Sequence, residues 1–534
     1  MATATEFPKT QLSPIRLWPL ALIVVCGVSG VVSLQCGKLN LTSRPSADLH
    51  FLIWTTELGL FLWAMYWSRL TPIGQVKVVF VAFALQTGAY LLIRVDGFEG
   101  DGRAIMALRW SPTPDELFVV TESVPVTRPH DDVHVEPGVW DVPCYRGQNR
   151  DSVVKVPPFQ TDWESHPPRE LWRRAVGIGW SSFAVVGDYC FTQEQRGEHE
   201  VVVCYELATG KQVWEHRDRA YFKEMTGGNG PRATPTFASG RLLTLGATGI
   251  LNCLDPASGR VHWSVNILAD AGVENRLFGM VGSPLADGET VIVCPGGRDA
   301  AVVAYNVETG LRAWSHGSAA ASYSSPQFAD LAGMIWILNF NADGLSGHEF
   351  PGGTEVWSYP WISNPAERNN VCQPVPVPLP DSRPDRGRIF VASGYGKGCG
   401  VLEVRRLAEG FEIVSVWQNR NLKAKFTSVV LHDGFIYGLD ERILTCLDVE
   451  TGERRWKNGR YGHGQILLAN ETLLIQAESG EVCLVDADPR SYREVARLDA
   501  LSDRTWNQPV VAGRYLLVRN DREAVCYELP ALGK

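Results

Sequence analysis

The stretch VVVCYELATGKQVW, residues 201–214, carries the fold in miniature. Its alternating apolar positions predict a strand, Thr209-Gly210 predicts a tight turn, and a short second strand closes on Trp214. The same pattern returns as GILNCLDPASGRVHW ending at Trp263, AVVAYNVETGLRAW at Trp314, GLSGHEFPGGTEVW at Trp357, VLEVRRLAEGFEIVSVW at Trp417 and RILTCLDVETGERRW at Trp456. Two degenerate copies follow, EVCLVDADPRSYREVARL (481–498) and AVCYEL (524–529). An earlier half precedes each copy: a strand, a polar-Gly turn and another strand, as in GSPLADGETVIVC (282–294) and FTSVVLHDGFIYGL (426–439). Four short strands in about 45 residues make one propeller blade, whereas β-solenoid repeats are shorter. Eight such units predict an all-β, eight-bladed β-propeller.

Ring closure supports the count. The last unit ends after AVCYEL without a Trp strand, and an orphan strand, ELWRRAV (170–176), precedes the first unit. Pairing the two leaves no open sheet edge. The repeated tryptophans then account for much of the high Trp count of 18 and are read as packing between blades, not as a binding site. Cys204, Cys253, Cys446, Cys483 and Cys526 hold one equivalent place in the repeat, so the 12 cysteines read as small buried thiols rather than a disulfide framework. With 45% hydrophobic residues the chain can build a large core without metals or cross-links. The net charge of −9 comes with no basic run, so a nucleic-acid partner is not expected.

Three apolar stretches open the chain: LWPLALIVVCGVSGVVSL (17–34), FLIWTTELGLFLWAMYW (51–67) and VKVVFVAFALQTGAYLLI (76–93). Each is close to the roughly 17–25 residues that span a bilayer, with aromatic residues near the ends. They predict a three-helix transmembrane anchor over residues 1–96. Lys9 and Arg16 before the first span favour a cytoplasmic N-terminus. That places the remainder outside the cytoplasm: an inner-membrane protein with its propeller in the periplasm, and the lipid bilayer as a partner. Glu57 within the second span is either a functional group or a partner for Gln86 or Thr87. Residues 97–168 mix Pro, Gly and charge without a period and read as an extended linker, and the propeller occupies 169–534. His130, Asp131, Asp132, His134 and Glu136 offer metal-ligand chemistry but lack the helix of a zinc motif, so a solvated loop is expected.

The repeat, together with WDVPCYRGQNRD (140–151), TQEQRG, GPRATPT, GRYGHGQ and TWNQP, resembles the pyrroloquinoline quinone (PQQ) repeat family, in particular membrane-anchored bacterial PQQ-binding-like β-propeller repeat proteins. The resemblance spans about residues 140–530 and the subgroup likeness extends to the spans. It implies one of two activities. Quinoprotein dehydrogenases of this family hold PQQ and calcium at the propeller centre through Glu, Asn and Asp, and many carry a disulfide between adjacent cysteines. Binding propellers, such as the lipoprotein scaffold of the outer-membrane assembly machine, have no cofactor and bind proteins. This chain has no adjacent Cys pair and its blades lack long insertions.

The residues just before the innermost strands ring one mouth of the channel: Trp180, Arg232, Ser283, Tyr323, Gln373, Lys425, His463 and Trp506 with Asn507. Cations, aromatic rings and amides suit an anionic or planar ligand, a sugar or an acidic peptide. Glu194, Arg196, Asp343, Lys397, Asp440 and Glu441 are placed on the surrounding rim, where mixed charge suits a protein contact. Asp440 and Glu194 are the carboxylates nearest to a calcium or base role, and His463 is a candidate base. The expectation is a non-catalytic, membrane-tethered binding or scaffold module with no cofactor. The alternative is a PQQ-dependent dehydrogenase that oxidises an alcohol or sugar and passes electrons to membrane quinone. A sensor signalling through the helices is a third reading, which the short cytoplasmic segments disfavour.

Overall fold

The segment at 201–214 folds as its alternation dictates: strands His199–Glu206 and Gln212–Asp218 flank a turn at Gly210, whose φ is 67°. In the computed structural model the described residues are 91–113 and 133–532, without 365, 367, 380 and 382, together with Lys77 and Gly88. The first two apolar stretches, nearly all of the third, Glu57, His130, Asp131 and Asp132 lie outside them. Among the described residues no helix is long and apolar enough to cross a membrane.

The chain divides into two units, Met1–Pro112 and Thr113–Lys534. In the first, Ile93–Phe98 pairs antiparallel with Ala104–Leu108, a hairpin where the sequence shows no sustained period. The second holds the propeller. Ala184–Val186, Tyr189–Arg196, His199–Glu206 and Gln212–Asp218 form the first blade. Six more blades follow over 236–266, 285–316, 327–360, 375–419, 430–460 and 465–498. In the eighth, Val510–Ala512, Tyr515–Arg519 and Glu523–Glu528 take their outer strand from Arg169–Ala175, with Cys526 opposite Trp172. The ring is therefore closed by the two ends of the propeller segment.

The repeat residues explain how blades lock. A Trp on the outer strand of one blade lies against the turn glycine of the next. A Cβ at Gly210 would stand 2.5 Å from the Trp172 ring and one at Gly259 2.4 Å from the Trp214 ring. Gly310 meets Trp263, Gly353 meets Trp314 and Gly452 meets Trp417 in the same way. Each turn thus needs glycine twice, for its positive φ and for the indole. The indole N–H adds a bond across the boundary: Trp172 donates to the Leu207 carbonyl (2.8 Å), Trp214 to Pro256 (2.9 Å), Trp417 to Val449 (2.9 Å) and Trp456 to Asp488 (2.9 Å). Cys204, Cys253, Cys446 and Cys526 pair directly across from Trp214, Trp263, Trp456 and Trp172, so the thiol is the small neighbour a large indole requires. All ten cysteines among the described residues are free.

The boundary between the fourth and fifth blades departs from this scheme. Trp357 lies over Gly347 of its own blade, and its indole N–H has no hydrogen-bond partner. Trp336 bridges the gap instead, edge-on to Phe411 at 4.8 Å.

Candidate functional site at the channel mouth

Around the channel the blades are stitched at one level by hydrogen bonds from each inner strand to the next. Ser182 N donates to Thr234 Oγ1 (3.2 Å), Thr234 N to Ser283 Oγ (2.9 Å) and Ser283 N to Ser325 Oγ (2.9 Å). Ser325 N then donates to Gln373 Oε1 (3.3 Å) and Gln373 N to Ser428 Oγ (3.1 Å). Gln465 Nε2 reaches Phe426 O, Gln508 Nε2 reaches Ile466 O, and Ser182 Oγ returns to Gln508 O. Ser, Thr and Gln stand before the inner strands because this ring requires side-chain hydrogen-bonding groups.

The ring separates the expected mouth residues into two groups. Ser283 and Gln373 are members of it. Asn507 Nδ2 bonds Ser181 O (2.8 Å), joining the last blade to the first. Two positions before the ring lie Trp180, Arg232, Tyr323, His463 and Trp506, and the equivalent residue in the sixth blade is Phe426. The strand pattern points instead to its neighbour Lys425, because register is not visible in a sequence. Trp180 and Trp506 meet at 4.9 Å, Phe426 lies 5.0 Å from Trp506 and 4.8 Å from His463, and Arg504 sits over both tryptophans at 4.8 and 4.6 Å. Lys425 Nζ is 5.6 Å from the Phe426 and Tyr395 rings, and Lys397 Nζ is 4.5 Å from Trp361. Phe426, Tyr395 and Arg504 were not singled out from the sequence. Across the mouth, Tyr323 packs on Phe278 at 5.4 Å with Arg276 above it.

Arg232 does different work from the anion grip expected of it. It is buried, stacks on Phe222 at 4.5 Å and donates to the Gly228 and Gly230 carbonyls. It therefore holds the loop that receives the Trp180 indole N–H at Gly227 O (2.6 Å). Burial pulls its pKa down to about 10.

Three of the rim residues are interior. Glu194 accepts from Tyr205 Oη (2.7 Å), Arg196 (2.8 Å) and Gly177 N (2.8 Å). Burial acts to raise its pKa, but Arg196, Arg519 and the Tyr205 bond outweigh it and hold the carboxylate below its ordinary value. Arg196 is buried with it. Asp440 is buried between Lys423 Nζ (2.6 Å) and Lys457 Nζ, which likewise overcome burial and keep it ionised. Asp343, half-buried Lys397 and Glu441 remain accessible, Asp343 being paired with Arg368 at 2.6 Å.

Calcium takes six to eight oxygen ligands. None of the residues two positions before the ring is a carboxylate. Glu478 is engaged by Trp506 Nε1 (2.9 Å) and His463 N (2.9 Å), and Asp521 by Arg504 (3.3 Å). Among the described residues the cluster with metal-ligand spacing is His432, Asp433 and Glu471, at the turns on the opposite face. The residues of the mouth do not fit a calcium–quinone group. His134 and Glu136, from the other suggested metal cluster, are exposed.

The sequence model of the family described as "Outer membrane protein assembly factor BamB", a PQQ-repeat family, matches residues 198–458. The chain is a PQQ-repeat β-propeller protein. Its fold is similar to that of a europium-containing methanol dehydrogenase, with a TM-score of 0.56 at 12% identity over 72% of this chain and 90% of the other. It is also similar to the quinohemoprotein alcohol dehydrogenase of Comamonas testosteroni (TM-score 0.54, 10% identity, 79% and 85% covered). A third similar structure is the quinohemoprotein alcohol dehydrogenase ADHIIG of Pseudomonas putida HK5 (0.55, 13%, 74% and 81%). At these identities the likeness concerns the fold alone. No curated protein sequence matches. In this PQQ-repeat propeller the matched segment covers residues of the first six blades.

Proposed function

We propose that this protein is a membrane-tethered propeller outside the cytoplasm that binds a partner, protein or ligand, at its channel mouth without catalysing a reaction. The observation that carries the reading is the mouth itself. Aromatic and cationic side chains from several blades converge there, while the carboxylates beside them are engaged in holding Trp506, His463 and Arg504. Stacking faces with adjacent cations recognise planar or acidic groups. The three apolar stretches support the tether, and the charges before the first support its orientation. A protein partner is in keeping with a family described as an assembly factor.

The test uses the full-length protein in detergent micelles. A photo-crosslinking residue at position 425, beside the Phe426 ring at the mouth, is expected to give one discrete adduct in native membranes, and the same probe at exposed Leu311, on the outer wall, none. Titration with PQQ and calcium is expected to leave tryptophan fluorescence without saturable quenching. Saturable quenching with oxidation of an added alcohol would replace this reading with a quinoprotein dehydrogenase.

A further inference from the structure

The hairpin of the first unit, Ile93–Phe98 against Ala104–Leu108, has two unlike faces. Residues directly opposite in an antiparallel pair share a face. Ile93 stands opposite Leu108 and Val95 opposite Met106, so these four apolar residues make one face. Arg94 stands opposite Ala107 on the other. An irregularity between Val95 and Gly97 ends this register, and the tip beyond it is charged: Arg103 pairs with Glu99 at 2.6 Å and with Asp101 at 2.9 Å.

The charged face is the one the chain covers. Arg94 Nε donates to Asp96 Oδ1 (2.6 Å), and its Nη1 and Nη2 donate to the carbonyls of Ser111 (2.7 Å) and Pro112 (3.1 Å). The apolar face is left open, with Met106 59% and Leu108 44% exposed. At the base of the hairpin Leu91 and Leu92, in helical conformation just before the strand, and Trp110, in the turn just after it, are exposed too. Arg109 N donates to Leu92 O (2.9 Å) and ties that turn to the leucines. A sheet with one face in water shows its polar side there and covers its apolar side; this hairpin does the reverse. Two strands alone are marginal in water, and clustered exposed apolar side chains mark a contact surface.

What covers the face follows from where the chain comes from. The apolar stretch 76–93 runs into the hairpin with no residue between, since Ile93 ends the one and begins the other. A stretch of that length crossing a bilayer delivers its end, and with it the base of the hairpin, to the level of the headgroups. Tryptophan is enriched at that level. The sheet has two strands only, so each carries an outer edge of peptide groups that hydrocarbon does not tolerate. The hairpin therefore suits the interface and not the bilayer core. Over residues 93–110 Arg94, Arg103 and Arg109 balance Asp96, Glu99 and Asp101, so the attraction is apolar and needs no anionic lipid.

On the footing of the membrane tether inferred above, we propose that this face docks on the lipid surface. Met106, Leu108 and Trp110 insert beside Leu91 and Leu92 among the upper acyl chains, and the tip at Glu99–Arg103 stays in water. The hairpin is then a lipid-contact element in its own right, held down by its side chains as well as by its covalent link to the apolar stretch.

The experiment places full-length protein in phosphatidylcholine vesicles whose acyl chains are brominated near the headgroup. An environment-sensitive fluorescent amino acid replaces, one at a time, Met106, Arg103 and Phe83, the last lying within the apolar stretch. Met106 is largely exposed, so its replacement removes little packing. Interfacial docking carries an apolar face roughly 5–10 Å into the headgroup–acyl boundary, level with the bromines, so about twofold quenching is expected at position 106 and none at position 103. Quenching at position 83 without quenching at 106 overturns the docked face and leaves the tether standing. Quenching at neither position overturns both. Equal quenching at 103 and 106 overturns the two-faced placement. A blue-shifted but unquenched probe at 106 puts the face against the propeller or a second copy of the chain, and overturns lipid contact.

Discussion

Tryptophan builds both the wall and the mouth of this propeller, with opposite consequences. On the wall, Trp172, Trp214, Trp417 and Trp456 each cover a neighbouring turn and donate an indole N–H to a carbonyl of the next blade. At the mouth, Trp180 and Trp506 lean on each other and on Arg504, and bond to a loop carbonyl and to Glu478. The wall residues are interchangeable parts of one contact. The mouth residues each occupy a setting that occurs once. Repetition marks a residue that supports the ring, and singularity marks one that is available for recognition.

The comparison breaks first if wall and mouth respond alike to truncation. Trp214→Ala removes a 2% exposed indole and its inter-blade bond and is expected to cost about 3–5 kcal/mol in chemical denaturation. Trp506→Ala, at a half-buried site, is expected to cost far less and to lose the crosslink or ligand instead. Equal destabilisation would make the mouth a second wall.

Asp440 tests whether the interior carboxylates at the rim belong to the support. Its folded pKa lies below its ordinary value because Lys423 and Lys457 outweigh burial. A depressed carboxylate stabilises above the unfolded pKa, about 3.9, and that contribution fades as pH falls through the lower folded value. Asp440→Asn should therefore cost about 2 kcal/mol at neutral pH and flatten the acid limb of the stability profile. An unchanged acid limb would remove Asp440 from the support. A smaller effect separates the regular boundaries from the irregular one. Trp417→Phe should cost about 1 kcal/mol more than Trp357→Phe, since only the former indole N–H has a partner.

Blade number was legible because the strand pattern is written eight times and the supporting tryptophan seven times, and ring closure because one strand stands unmatched before the first unit. The Cys-opposite-Trp pairing was half legible: the equivalent positions showed, their partner did not. The mouth was less so. Its approximate positions follow from the strand pattern, but register does not, and a shift of one or two residues separates Ser283 and Gln373, which join blades, from Trp180 and Phe426, which line the opening. The task of Arg232 was hidden because its acceptors are main-chain carbonyls, and carbonyls leave no signature in a sequence. The same holds for Arg146 and Arg150. Their segment stood out as a motif, yet their acceptors lie in the third and sixth blades, and no local pattern announces a bond to a distant peptide group. Glu194 and Asp440 looked available because charge suggests solvent, whereas each is enclosed by its own counter-ions.

The shared eighth blade has a consequence for synthesis. Apart from Val153–Val154, which adds to the edge of the seventh blade, Arg169–Ala175 leaves the ribosome before any other strand of the ring, and its partner Glu523–Glu528 leaves last. Throughout translation the nascent chain carries an unmatched strand at one end and an incomplete sheet at the other, so each finished blade waits in an open arc. A chain that stalls or is cut shortly before residue 523 keeps seven whole blades and still has no closed circle, with two sheet edges exposed to any extended polypeptide nearby. The ring therefore shuts only in a polypeptide translated through Glu528.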